Sequence, residues 1–214
     1  MKHRGKLLGF YNYTVVLTYI GMLTGFVGIA YAFEDNLFRA VICLMLAGFC
    51  DMFDGAIAST KKDRTEQEKC FGIQIDSLSD LVCFGVLPAA IVYSTSDQNR
   101  WVLAIGAMYV LCALIRLAYF NVDEQERQKT SSGSREFYSG LPVTLSALIF
   151  PAIYGIDCLT ERSMYFSFTV SLFVTSALFL LPFPLKKPKA VGKVLFLTFG
   201  LAVVLLLALA CRHM

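Results

Sequence analysis

Charged residues are scarce in this chain: Asp, Glu, Lys and Arg make up 16% of its 214 residues, against about 25% in soluble globular proteins. Together with 57% hydrophobic residues and a mean hydropathy of +0.62, that shortage excludes a soluble globular domain and indicates a membrane protein. The net charge of +3 is small and forms no basic stripe of the kind that grips nucleic acid, so no nucleic-acid partner is expected. Histidine is nearly absent. His3 and His213 stand at opposite ends of the chain and read as interfacial residues rather than ligands. None of the seven cysteines (Cys43, Cys50, Cys70, Cys83, Cys112, Cys158, Cys211) forms a Cys-x2-Cys pair. Most lie in apolar runs, where cysteine behaves as a small hydrophobe, so neither a zinc site nor a disulfide framework is expected. Internal repeats and low-complexity segments are missing too.

What is present is a succession of apolar runs near the length of about 20 residues that crosses a bilayer. Residues 1–10, with Lys2, Arg4 and Lys6 among Leu7, Leu8 and Phe10, read as a basic segment lying on the membrane surface. Spans are expected at 12–33, 37–58, 72–93, 101–120, 140–154, 164–181 and 190–211, with long polar loops at 59–71 and 123–136. Ala30-Tyr31-Ala32 mimics a signal-peptidase site, but the apolar run before it exceeds the usual length of about 7–15 residues, so the first span is expected to remain. Pro142 is expected in the first turn of the fifth span, where a missing N–H costs nothing. The fold class is therefore all-α: a polytopic bundle of about six to eight transmembrane helices at that span length, formed by a single domain over residues 1–214.

Orientation follows from the cations. With the N-terminus cytoplasmic, that side holds 14 Lys and Arg residues, among them Lys61, Lys62, Arg64, Lys69 and Lys186, and the other side holds Arg39, Arg100, Arg162 and Arg212. Arg116 falls within the fourth span. The positive-inside rule then makes the N-terminus and both long loops cytoplasmic in a multi-pass protein of the cell membrane.

Against this apolar background four carboxylates stand out. Asp51 and Asp54 are three residues apart near the end of the second span, and Asp76 and Asp80 are four apart near the start of the third. On helices each pair shares one face, with Cβ atoms about 5–6 Å apart. Carboxylates so close either take up protons or bind a hard cation through oxygen, which points to Mg2+ or Mn2+. At 1.5 Å per residue all four lie within roughly 12 Å of the cytoplasmic boundary. That suits a site where a water-soluble group meets a lipid. A divalent-cation or proton transporter, the rival reading, would place its acids nearer the midplane. A noncatalytic scaffold leaves the acids without purpose.

Written out, Asp51-x2-Asp54-Gly55-x2-Ala58 followed by Gly72-x3-Asp76-x3-Asp80 resembles the signature of the CDP-alcohol phosphotransferases. The segments Asp76-Ser-Leu-Ser-Asp80-Leu-Val-Cys-Phe84-Gly85-Val-Leu-Pro88, Arg116-Leu-Ala-Tyr-Phe-Asn121 and Tyr138-Ser-Gly140-Leu-Pro142 are similar to its phosphatidylserine synthase branch. The resemblance implies transfer of a phosphatidyl group from CDP-diacylglycerol to L-serine with release of CMP, within a homodimer surrounded by membrane lipids. Glycerol 3-phosphate or an inositol phosphate as acceptor, or an archaeal-type ether-lipid donor, would use the same chemistry. It further implies metal at Asp51, Asp54 and Asp76, with Asp80 as general base and further metal contact, so that Asp76 and Asp80 are the catalytic pair. Nucleotide contacts are implied at Asp51, Gly55, Ala58 and Gly72. The chain departs from the family at Ser59, where arginine is usual, and in a longer loop before Gly72, so Lys61, Lys62 or Arg64 is expected to meet the diphosphate. Tyr119 stands where the branch has a second arginine. Arg116 and Asn121 complete the expected substrate contacts.

Overall fold

The computed structural model describes residues 8–97, 99–130, 137–186 and 190–213. Residues 1–7 of the basic segment, 131–136 of the second polar loop, and Lys187 and Lys189 lie outside the described residues. The chain forms α1 (Tyr13–Phe33), α2 (Leu37–Thr60), α3 (Glu66–Asp80), α4 (Leu87–Ser94), α5 (Arg100–Thr130), α6 (Ser146–Thr160), α7 (Met164–Leu180) and α8 (Ala190–His213). A π turn, Leu81–Val86, joins α3 to α4. Among the described residues five helical stretches are long and apolar enough to span a membrane: Tyr13–Phe33, Leu37–Thr60, Glu66–Ser94, Arg100–Glu126 and Val143–Thr160. Two shorter apolar helical stretches, Met164–Leu180 and Thr198–Leu209, follow. The polytopic helical bundle is as expected. Among the described residues it adds a short antiparallel ladder, β1 (Phe137–Ser139) with β2 (Pro184–Lys186), in which Tyr138 pairs in register with Leu185.

Four expected boundaries move, each for a local reason. The polar loop expected at 59–71 shrinks, because α2 runs to Thr60 and α3 starts at Glu66. Thr65 and Glu68 form a capping box there, each side chain bonding the other's backbone N–H, which starts a helix irrespective of hydropathy. Likewise α5 continues to Thr130, into the expected loop at 123–136, because Glu, Gln, Arg and Lys are good helix formers. Pro142 does not enter the fifth span's first turn. It caps a 3-10 turn, Val143–Leu145, with an extended backbone, and α6 follows and extends past Tyr154 to Thr160. Between β1 and that turn, Gly140 has φ +76, and a Cβ there would stand 2.9 Å from the Leu181 carbonyl oxygen. Only glycine fits the bend.

The face of α1 that carries Thr14, Thr18, Gly21, Gly25, Gly28 and Ala32 is buried. A Cβ on Gly25 would meet Cys83 Sγ at 2.5 Å, and one on Gly28 would meet Cys43 Cβ at 2.8 Å. These small residues let the backbones of α1, α2 and the π turn approach closely, the usual packing device between membrane helices. Close approach is what brings α1 to the carboxylates.

Candidate active site

Helix geometry puts Asp51 and Asp54 on one face of α2, and Asp76 and Asp80 on one face of α3, as their spacings predict. Packing turns the two faces together. Asp51, Asp76 and Asp80 each present a carboxylate oxygen, and the three lie within 4.8 Å of one another. The fourth carboxylate is held from α1: Thr18 Oγ1 donates to Asp54 Oδ2 at 2.8 Å, with both residues buried. Ser79 Oγ donates back to the Thr18 carbonyl at 3.4 Å.

The ion pairs Lys61–Glu68 and Lys69–Glu66 lie outside the cage. The four acids surround a cavity of about 10 Å3, lined also by Thr18, Cys50, Ser79, Cys83 and Phe84. A volume near that of one water-sized sphere admits an ion and no nucleotide. All-oxygen donors, an ion-sized space and concentrated negative charge fit a hard divalent cation.

One helical turn from Asp54 toward the C-terminal end of α2 and from Asp76 toward the N-terminal end of α3, about 6 Å along each axis, lie Ala58 and Gly72. Arg64 fills the space between them. Its Nη1 donates to the Ala58 carbonyl at 3.3 Å and its Nη2 to the Glu68 carbonyl at 3.4 Å. A Cβ on Gly72 would lie 2.7 Å from Arg64 Nη2, so glycine there makes room for the guanidinium. Arg64 Nε is buried without a hydrogen-bond partner, an unused donor one layer above the cage. Gly55, by contrast, has nothing within 4 Å of where a Cβ would be, leaving the α2 backbone open to a ligand.

The remaining expected contacts stand as follows. Ser59 Oγ donates to the Ala56 carbonyl at 2.6 Å, turned onto its own helix. Lys61 Nζ donates to Glu68 Oε1 at 2.7 Å, and that bond raises the Lys61 pKa. Lys62 is exposed. Asn121 Oδ1 accepts from Ser77 Oγ at 3.0 Å, which ties α5 to the residue beside Asp76. Arg116 is 6% exposed; its Nε donates to the Leu141 carbonyl at 3.3 Å and its guanidinium lies 5.6 Å from the Phe120 ring centre. It anchors the Gly140–Pro142 bend. Tyr119 is exposed.

Three residues that sequence reasoning passed over help build the site. Thr18 orients Asp54, Ser79 fixes Thr18's backbone, and Asn12 Nδ2 donates to Glu68 Oε1 at 2.8 Å. The signal for Thr18 was its place on the small-residue stripe of α1, since such a stripe marks the face that meets other helices.

The sequence model described as CDP-alcohol phosphatidyltransferase matches residues 11–211. An archaetidylserine synthase of Methanothermobacter thermautotrophicus is 29% identical, over 78% of this chain and 67% of that protein. A CDP-diacylglycerol–serine O-phosphatidyltransferase of Saccharomyces cerevisiae is 34% identical over 64% of this chain and 52% of its own length. One from Helicobacter pylori strain J99 is 31% identical, over 64% and 53%. The chain thus spans between about half and two thirds of the length of these relatives.

Proposed function

Because the chain belongs to the CDP-alcohol phosphatidyltransferase family, we propose that it transfers a phosphatidyl group from CDP-diacylglycerol to L-serine, forming phosphatidylserine and CMP. The observation that carries this reading is the convergence of Asp51, Asp76 and Asp80 on one ion-sized space, with Arg64 one turn above. Serine occurs in the names of all three relatives, which favours it over glycerol 3-phosphate or an inositol phosphate.

Asp51, Asp54, Asp76 and Asp80 would hold the divalent ion, Mg2+ or Mn2+, which when bound neutralises charge developing on the diphosphate oxygens. Thr18 keeps Asp54 turned into the cage. Gly55 leaves the backbone open for the nucleotide, and the Arg64 guanidinium supplies a donor toward its phosphates. Asp80 takes the proton from the serine hydroxyl as its oxygen bonds to the phosphorus bearing diacylglycerol. The bond from that phosphorus to the CMP oxygen breaks and CMP departs. Residues 1–214 act as one catalytic domain in this reading, paired in a homodimer. The direct test offers purified protein CDP-diacylglycerol, or its ether-linked counterpart, with serine, glycerol 3-phosphate and inositol phosphate, and follows CMP. Release with glycerol 3-phosphate and none with serine would reassign the acceptor.

Arg64→Ala should raise the KM for the CDP-linked donor about 10- to 100-fold with little change in kcat, since a hydrogen bond to a charged group contributes about 1.5–3 kcal/mol. A larger rise in Lys62→Ala than in Arg64→Ala would move the phosphate contact to Lys62. The cytoplasmic orientation predicts that single cysteines placed in 59–71 or 123–136 resist an impermeant thiol reagent added to intact cells and react after lysis. Labelling from outside would reverse the topology.

A further inference from the structure

The helix that carries Asp76 and Asp80 does not continue as an α-helix. Directly after Asp80 it widens into the π turn Leu81–Val86, where the N–H of Leu87 bonds the Val82 carbonyl five residues back. Pro88 provides the cause. In an α-helix the Phe84 carbonyl would accept from residue 88, but proline has no N–H and its ring collides with the carbonyl four residues before it. The π turn relieves that collision and leaves the Phe84 carbonyl to be satisfied from elsewhere. Tyr109 on α5 donates its hydroxyl to it at 2.8 Å. Ser146 Oγ, at the start of α6, lies 3.3 Å away and also faces the Val143 carbonyl at 2.8 Å, so Tyr109 is the principal donor. The Tyr109 ring is fully buried, with Phe150 at 6.0 Å and Phe179 at 5.3 Å between ring centres. Its hydroxyl is therefore held in place.

The turn so pinned is part of the cage. Cys83 and Phe84, both within it, line the same cavity as Asp51, Asp54, Asp76 and Asp80, and π bulges recur at functional sites. We infer that Tyr109 is a positioning residue of the carboxylate cage: its hydroxyl holds the π turn imposed by Pro88 and thereby sets Asp80 and Phe84 against Asp51. This rests on the function proposed above only in taking the cage as a metal site.

The test reads Mn2+ affinity of the purified full chain without substrate, by electron paramagnetic resonance of the free ion. Tyr109→Phe keeps the ring and removes the donor, and should weaken Mn2+ binding about 10- to 100-fold, the usual effect of losing an outer partner of a metal site. Pro88→Ala returns an N–H to the position that bonds the Phe84 carbonyl in an α-helix. In that background Tyr109→Phe should cost no more than about twofold further, because coupled residues are not additive. Ser146→Ala provides a second background, in which the loss from Tyr109→Phe should grow because both hydroxyls that reach the carbonyl are then gone. Wild-type Mn2+ affinity in Tyr109→Phe, or the same loss in all three backgrounds, would overturn the assignment. Wild-type protein that binds Mn2+ but releases no CMP with any alcohol would instead defeat the proposed function and leave this inference standing.

Discussion

Asp51→Asn and Asp76→Asn should each abolish turnover while the protein remains folded. Both residues contribute an oxygen to the cluster within 4.8 Å, and an amide cannot replace a carboxylate's charge on a divalent ion. The metal contributes several kcal/mol to the charged transition state, so its loss lowers the rate on the order of a thousandfold or more. Stability should move the other way. Four carboxylates crowd this cavity, with no cation paired to them among the described residues, and neutralising one relieves repulsion. In chelator, the thermal midpoint of either variant should therefore be no lower than that of wild type. Added Mn2+ should raise the wild-type midpoint, because a ligand that binds only the folded state stabilises it, and should leave the variants unmoved. Near-wild-type CMP release by either variant at saturating metal would sink the cage.

Asp80→Asn should separate chemistry from binding. Asp80 is the last acid along α3 and is buried, whereas the proposed function brings the donor's nucleotide to the Gly55 and Arg64 side. With Asp51, Asp54 and Asp76 intact, most donor affinity should survive, while the transfer step falls by about 10² to 10⁴, the usual effect of removing a positioned general base. Donor affinity and single-turnover CMP release, measured beside Asp51→Asn, decide the matter. The structure makes this a demanding test, because Asp80 belongs to the tight cluster with Asp51 and Asp76. If Asp80→Asn loses donor binding as fully as Asp51→Asn, Asp80 acts chiefly as a ligand.

The branch points of this site differ in how local they are. Gly72 and Arg64 show it best: the spacing places a glycine four residues before Asp76, and only the fold brings the Arg64 guanidinium of the preceding loop against it. Likewise Arg116, an isolated cation in an apolar span, reads as an anion contact in the sequence. In the bundle it holds the bend at Leu141. Neither contact has a trace in spacing, because each depends on which backbone passes nearby.

By itself the sequence determined the all-helical membrane class, the order of the spans and the pairing of acids on two helix faces. Those follow from hydropathy over about 20 residues and from the 3.6-residue period, both properties of contiguous chain. Helix starts were less legible where a capping box, as at Thr65 and Glu68, overrides hydropathy. Only the tertiary structure decided that the two faces meet, that Thr18 from α1 holds Asp54, and that Tyr109 and Ser146 satisfy the carbonyl Pro88 leaves open. These contacts join residues 36, 25 and 62 positions apart. They are set by how closely small-residue faces let the helices approach, and no local pattern carries that information.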